Sequence, residues 1–244
     1  MDVSAYQDVI NWQKVKASGI DFAIVRAGYR GKTNGALVKD SKFDTHISGA
    51  ILAGLKVGAY MFTEARDYTE GAEEAKFLAS LVKDYDVKLP LVVDTEYQSN
   101  ARSNGISVTA RTEAIRGFCE TIESLGYTPM IYASTSWLNN NLDMSKLSKY
   151  KVWVAQYYDR VTYNGSYEVW QYTSKGRVDG INGNVDIDFQ YKSFNDKIPS
   201  TTWRTIAGKK YYYKDYNMVK NAWVHDSKNS YYMGSDGVAK TGWY

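Results

Sequence analysis

From residue 1 to about 195, short apolar runs rich in β-branched and aromatic residues alternate with longer stretches in which apolar positions recur every three or four residues. That alternation is the pattern of an α/β domain with a largely parallel sheet. The candidate strands are "DVS", "DFAIVRAGY", "KVGAYMFT", "LPLVVDTE", "TPMIYAS", "KVWVAQY", "YEVWQYT" and "VDIDFQY". Eight such strands predict a barrel. Helices are expected over "VINWQKVKASG", "KFDTHISGAILAG", "YTEGAEEAKFLASLVKDY" and "TARTEAIRGFCETIESLG", several closing on the glycine that commonly ends a helix. After "TPMIYAS" only a short helix fits, and Asn164-Gly165 between two apolar runs predicts a tight antiparallel hairpin. The barrel is therefore expected to be regular in its first half and irregular in its second. "AGYRGKTNGA" lacks both common phosphate-loop spacings and reads as a loop at the barrel mouth.

Near "NDKIPSTTW" the alternation stops, and Pro199 with its Ser/Thr neighbours marks a linker over 196–202. Beyond it Trp203, Trp223 and Trp243 fall at intervals of twenty residues, and the same offset carries Tyr211 onto Tyr231 and Tyr212 onto Tyr232. Such self-similarity predicts small stacked units, each an aromatic hairpin. The expected organisation is an irregular eight-stranded β/α barrel over 1–195, the linker, and a small β-hairpin repeat module over 203–244 that is cut short inside a repeat at "TGWY".

Composition narrows the function classes. A chain of 244 residues with 44% hydrophobic and 23% charged residues can bury a substantial core, and no stretch approaches the roughly 18 apolar residues of a membrane span. The net charge of +3 is small and no dense basic run tracks a phosphate backbone, so no nucleic-acid partner is expected. Most of the positive charge belongs to the tail, where residues 200–244 hold seven Lys/Arg against three Asp/Glu. The single cysteine, Cys119, excludes an intramolecular disulfide and a thiolate zinc site, and its helical setting suits a small core residue. The start "MDVSAYQ" shows no signal-peptide pattern. Twenty-two tyrosines and seven tryptophans matter more, because flat amphipathic rings stack on sugars and cage cations.

Chemistry is concentrated in carboxylates. In "LPLVVDTEY" an apolar run ends in Asp94 and Glu96, which as i and i+2 on a strand share a face about 6 to 7 Å apart. The C-terminal strand ends of a barrel are where chemistry is done, and two nearby carboxylates push each other's proton affinities apart. The plain alternative is that the pair ends the strand and caps the next helix. Asp2 in the first strand and Asp186 and Asp188 in the last strengthen the catalytic reading. A cage for magnesium or calcium ranks lower, since no calcium-loop spacing appears, and no metal or cofactor is expected. His46 and His225 tie to no nucleophile by any signature.

Seven motifs in order, "MDVSAYQDVINWQKVKASGIDFAIVRAGYRG", "GLKVGAYMFTEA", "LPLVVDTE", "GYTPMIYAS", "VWVAQY", "VWQYTS" and "GNVDIDF", resemble the glycoside hydrolase family 25 lysozymes over about residues 1–191. The resemblance implies an irregular β/α barrel that cleaves the β-1,4 bond between N-acetylmuramic acid and N-acetylglucosamine in peptidoglycan. It implies Glu96 as general acid, Asp94 beside it, and Asp2 and Asp186 completing the acidic groove, with Asp188 the weaker match. Tyr60, Phe62, Tyr132, Trp170 and Gln171 resemble the sugar-contacting positions, although barrel core is the competing role for the aromatics. Retention through the substrate's acetamido group is favoured by the resemblance, and spacing leaves inversion open. The tail resembles choline-binding cell-wall repeats, which assigns wall binding to Trp203, Tyr211, Tyr212, Trp223, Tyr231, Tyr232 and Trp243, with choline or another wall polymer as ligand. A self-packing stack with no ligand is the alternative there. The implied place of action is the cell wall, outside the cell, in an autolysin or phage-type endolysin. A wall-binding protein without catalysis and a chitin hydrolase are the competing functions.

Overall fold

All eight predicted barrel strands form, and they close on themselves. The structure is a computed structural model that describes residues 1–191, 201–206, 209–214, 217–226 and 229–240. Its strands are β1 (Asp2–Val3), β2 (Phe22–Arg30), β3 (Leu37–Lys39), β4 (Lys56–Phe62), β5 (Leu91–Asp94), β6 (Pro129–Ser134), β7 (Lys151–Ala155), β8 (Val169–Gly176) and β9 (Val185–Gln190). The wall runs β1-β9-β8-β7-β6-β5-β4-β2, and β1 pairs with β2 to close it. Neighbours from β1 through β2 and on to β8 are parallel, whereas β9 is antiparallel to both β8 and β1.

Period-two alternation splits the core into two shells. Ile24, Tyr60, Val92, Met130, Tyr132, Trp153, Ala155 and Val169 fill the barrel interior. Their neighbours in sequence, among them Val25, Ala59, Met61, Val93, Ile131 and Val154, join the outer core under the helices. Those helices are α1 (Trp12–Ala17), α2 (Phe43–Leu52), α3 (Tyr68–Val82), α4 (Val108–Ser124) and the short α5 (Thr135–Asn140) and α6 (Met144–Leu147). Asp67, Ser107 and Ser134 cap α3, α4 and α5, each side chain accepting a backbone N–H of the first turn. Helices α3 and α4 approach so closely at Gly71 and Gly117 that an added Cβ would lie 1.9 Å from the Ala114 carbonyl oxygen and 2.2 Å from that of Tyr68.

Two expectations need correction. The Asn164-Gly165 hairpin does not form: β7 and β8 are parallel, so the chain between them returns to the far end of the barrel instead of folding back on itself. The antiparallel pair in this half is β8–β9, one connection later. "AGYRGKTNGA" is partly strand, because β2 extends to Arg30 and β3 folds back on it with Leu37 opposite Arg30.

Most of the linker and Trp243 lie outside the described residues. In the tail, β10 (Thr202–Ile206) pairs antiparallel with β11 (Lys209–Lys214), which pairs with β12 (Asn217–Met218). A second hairpin joins β13 (Ala222–His225) to β14 (Ser230–Met233). Trp203 faces Tyr212 in the first and Trp223 faces Tyr232 in the second, so the twenty-residue offset in sequence is also an offset in pairing. A bridge between Tyr211 and Val238 ties the two units together.

Candidate active site

The parity that sends Val92 into the barrel sends Asp94 there too, and it places Asp2 and Arg26 level with Ile24 and two residues beyond it. Because β9 runs opposite to the other strands, its first residues arrive at the rim where they end, and Asp186 lands directly across from Asp2. One cavity of about 240 Å³ is lined by Asp2, Asp94, Glu96 and Asp186 together with Tyr60, Phe62, Tyr132 and Gln171. Four acids and four of the five expected sugar-contacting residues thus share one space.

Trp170 is the exception. On β8 it occupies the parity opposite to Gln171, is 0% exposed in the outer core, and donates its indole N–H to the Gln156 carbonyl at 2.7 Å. It is placed for packing rather than for contact with a sugar.

The polar groups of the cavity are organised around Gln171. Its Nε2 donates to Asp2 Oδ2 at 2.9 Å, while its Oε1 accepts from Tyr132 Oη at 2.9 Å and Tyr157 Oη at 2.8 Å. One amide therefore fixes two phenols and an acid from three other segments. Asp188, the weaker match in sequence, is buried next to this group, accepting from Trp153 Nε1 at 2.9 Å and lying 3.2 Å from the Met1 amine. Arg26 reaches the cavity with its Nε held by Asp40 at 2.7 Å and its guanidinium over the Tyr6 ring, 5.1 Å from the centroid. Sequence reading missed Arg26, Trp153 and Tyr157. A charge inside the apolar run "DFAIVRAGY" was a usable signal for Arg26, and Trp153 shares the inward parity of its strand.

Asp94 and Glu96 line the same cavity, and the proton affinity of each depends on the other. Two carboxyl groups so placed resist ionising together, which favours a pair that holds one proton. Burial raises both proton affinities, most strongly for Asp94, which the Glu96 charge raises further. Glu96 is the less buried of the two and lies just past the end of β5. Its neighbour Thr95 is anchored twice, by its N–H to the Tyr132 carbonyl at 3.0 Å and by Trp137 Nε1 donating to its Oγ1 at 3.0 Å. The turn that presents the pair is thereby held still.

Burial also raises Asp2 well above the ordinary carboxylate range, helped by the charges of Asp188 and Asp186, and raises Asp186 to about 6. The same cause keeps Tyr60 and Tyr132 protonated as donors. A carboxyl whose proton affinity rises on folding adds stability that is complete below its unfolded pKa of about 3.9 and is lost as pH climbs through the folded value. The variant Asp186→Asn is accordingly expected to melt higher than the parent at pH 8, with the advantage shrinking by pH 5. Thermal melts at the two pH values check this, and a constant difference would contradict it.

The family model for glycosyl hydrolases family 25 matches residues 1–181. The chain is 26% identical over 189 residues to an autolytic lysozyme of Clostridium acetobutylicum, covering 77% of this chain and 54% of the relative. It is 31% identical over 197 residues to lysozyme M1 of Streptomyces globisporus, covering 76% of this chain and 65% of that protein. The chain thus spans between about half and two thirds of the length of these curated relatives. Its fold is similar to the modular autolysin LytC from Streptococcus pneumoniae in complex with a synthetic peptidoglycan ligand, with a TM-score of 0.69 and 28% identity over 78% of this chain and 46% of that one.

Proposed function

Since the chain belongs to glycosyl hydrolases family 25, we propose that it is a muramidase that hydrolyses the β-1,4 bond between N-acetylmuramic acid and N-acetylglucosamine in bacterial peptidoglycan. The observation that carries the reading is the buried carboxyl pair Asp94 and Glu96, with raised proton affinities, in a barrel cavity lined by amphipathic rings. The lysozymes it resembles and the peptidoglycan ligand in the LytC structure support the substrate class.

In this mechanism the pair holds one proton, which leaves through Glu96, its less buried member, to the glycosidic oxygen as positive charge grows at the anomeric carbon. Loss of that proton leaves Asp94 ionised. It then orients the N–H of the 2-acetamido group, whose oxygen closes on the anomeric carbon, and its charge stabilises the cationic ring so formed. Water opens the ring with Glu96 now accepting a proton, and configuration is retained. Asp2 and Asp186 line the groove opposite, with Gln171 fixing Asp2 and the two phenols that meet the sugar. Tyr60, Tyr132 and Phe62 supply apolar faces.

The domains in this reading are a catalytic barrel over 1–195 and a wall-binding tail over 203–244. The tail holds the enzyme on the wall polymer and raises the local concentration of glycan, as in an autolysin or phage endolysin acting outside the cytoplasm. Digesting purified peptidoglycan and identifying the new reducing sugar and its anomer tests the proposal. New N-acetylmuramic acid ends, released first as the β-anomer, are expected. N-acetylglucosamine ends would overturn the bond assignment, α-anomers would overturn retention, and firm wall binding with no release would favour a binding protein.

A further inference from the structure

The two tail units meet at a corner built from aromatic rings. Trp203 on β10 lies 4.9 Å from the Tyr212 ring of its own hairpin and 4.7 Å from the Tyr231 ring of the next, the latter edge-to-face at 62°. Rings set at such angles present electron-rich faces to one space, the arrangement that attracts ammonium groups. That space has an occupant. The Lys210 ammonium sits 4.8 Å from the Trp203 centroid and 4.7 Å from the Tyr231 centroid, with Nζ 3.4 Å from Tyr231 Oη.

Lys210 reaches this position because its backbone is committed to both units. It lies on β11, opposite Thr205 of β10, and its carbonyl accepts the Ala239 N–H of the second unit at 2.8 Å. The adjoining bridge between Tyr211 and Val238 continues the same seam. A strand pinned from two sides delivers the lysine stem to the junction with little freedom to leave.

We propose that Lys210 is the resident cation of the Trp203–Tyr231 cage, and that it closes this site to quaternary ammonium ligands such as choline. The lysine acts as an internal ligand that clamps the first unit onto the second. A free ammonium binds here only by displacing it. The inference narrows what the tail recognises, and it does not depend on the muramidase reading, because a small-molecule titration reads the cage without any wall or any catalysis.

The test is a choline chloride titration of the full chain followed by tryptophan fluorescence, comparing the parent with Lys210→Ala, with Lys210→Met, which keeps the apolar stem, and with the double variant Lys210→Ala/Trp203→Ala. Removing the competing ammonium is expected to tighten choline binding about tenfold, the scale of one cation–π contact. The double variant is expected to lose the response. Equal saturation in the parent and both single variants would overturn the plug. Silence in every folded variant, verified by circular dichroism, would overturn the cage as an ammonium site.

Discussion

Glu96→Gln is expected to slow glycan cleavage by about a thousandfold, within the range of 10²–10⁴ typical of a general acid. The amide keeps the size but has no acidic proton to give. KM should change little, since the stacking rings and Gln171 are untouched, and the loss should lie in kcat. Thermal stability at neutral pH should be equal or higher, because a carboxyl with raised proton affinity is removed from a buried site. Single-turnover release of reducing ends from peptidoglycan, run with melts of both proteins, measures all three. Undiminished kcat in the variant would remove Glu96 from the role of acid and leave Asp94 to be tested in its place.

The second large effect concerns folding. Arg30 lies behind the barrel with Nε on Glu74 Oε1 at 2.8 Å, Nη1 on the Gly35 carbonyl at 2.9 Å and Nη2 on the Glu70 carbonyl at 2.8 Å. Both the arginine side chain, 4% exposed, and that of Glu74, 0% exposed, are out of water. Arg30→Met would strand the glutamate and two carbonyl oxygens, a loss of about 3–5 kcal/mol for a broken buried pair. The loss should depend on pH. Burial already raises Glu74 to about 7 despite Arg30, so stability linked to its proton is complete near pH 4 and fades as pH rises through 7. Without the guanidinium the proton is held more tightly still, and the variant should suffer less at pH 5.5 than at pH 8. Urea unfolding at the two pH values reads the difference, and Arg30→Met/Glu74→Leu should recover most of it. A pH-independent loss would show that packing, not charge, dominates at this position.

How much of this was legible in the chain can be judged strand by strand. Each barrel strand announced itself by its apolar run, and the helices by their spacing, caps and terminal glycines, as at Gly54 and Gly126, which take φ of +79° and +85°. These are local signals, written within about ten residues. Asp94 and Glu96 were visible for the same reason, as two charges at the end of an apolar run where local packing predicts none.

What failed depended on partners distant in sequence. Asn164-Gly165 has the local chemistry of a hairpin turn, yet the parallel pairing of β7 with β8 overrides it. Trp170 and Gln171 are adjacent and both suit a sugar, and only the pleat of a strand whose inner face is set by Val169 decides which one meets the cavity. Asp188 gains its neighbours from β7 and the chain start, residues far removed in sequence.

The sequence by itself determined the eight barrel strands and the four longer helices between them, the barrel class, the family and the acids at the strand ends, because periodicity and motif are properties of short segments. Only the tertiary structure decided that β9 runs antiparallel and brings Asp186 opposite Asp2, that Gln171 ties Asp2 to two phenols, that burial and the Glu96 charge raise the proton affinity of Asp94, and that Lys210 fills the ring corner of the tail. The reason is that proton affinity, cavity shape and ring contacts are set by burial and by the approach of charges, and both come from segments that meet only when the barrel and its repeats have closed.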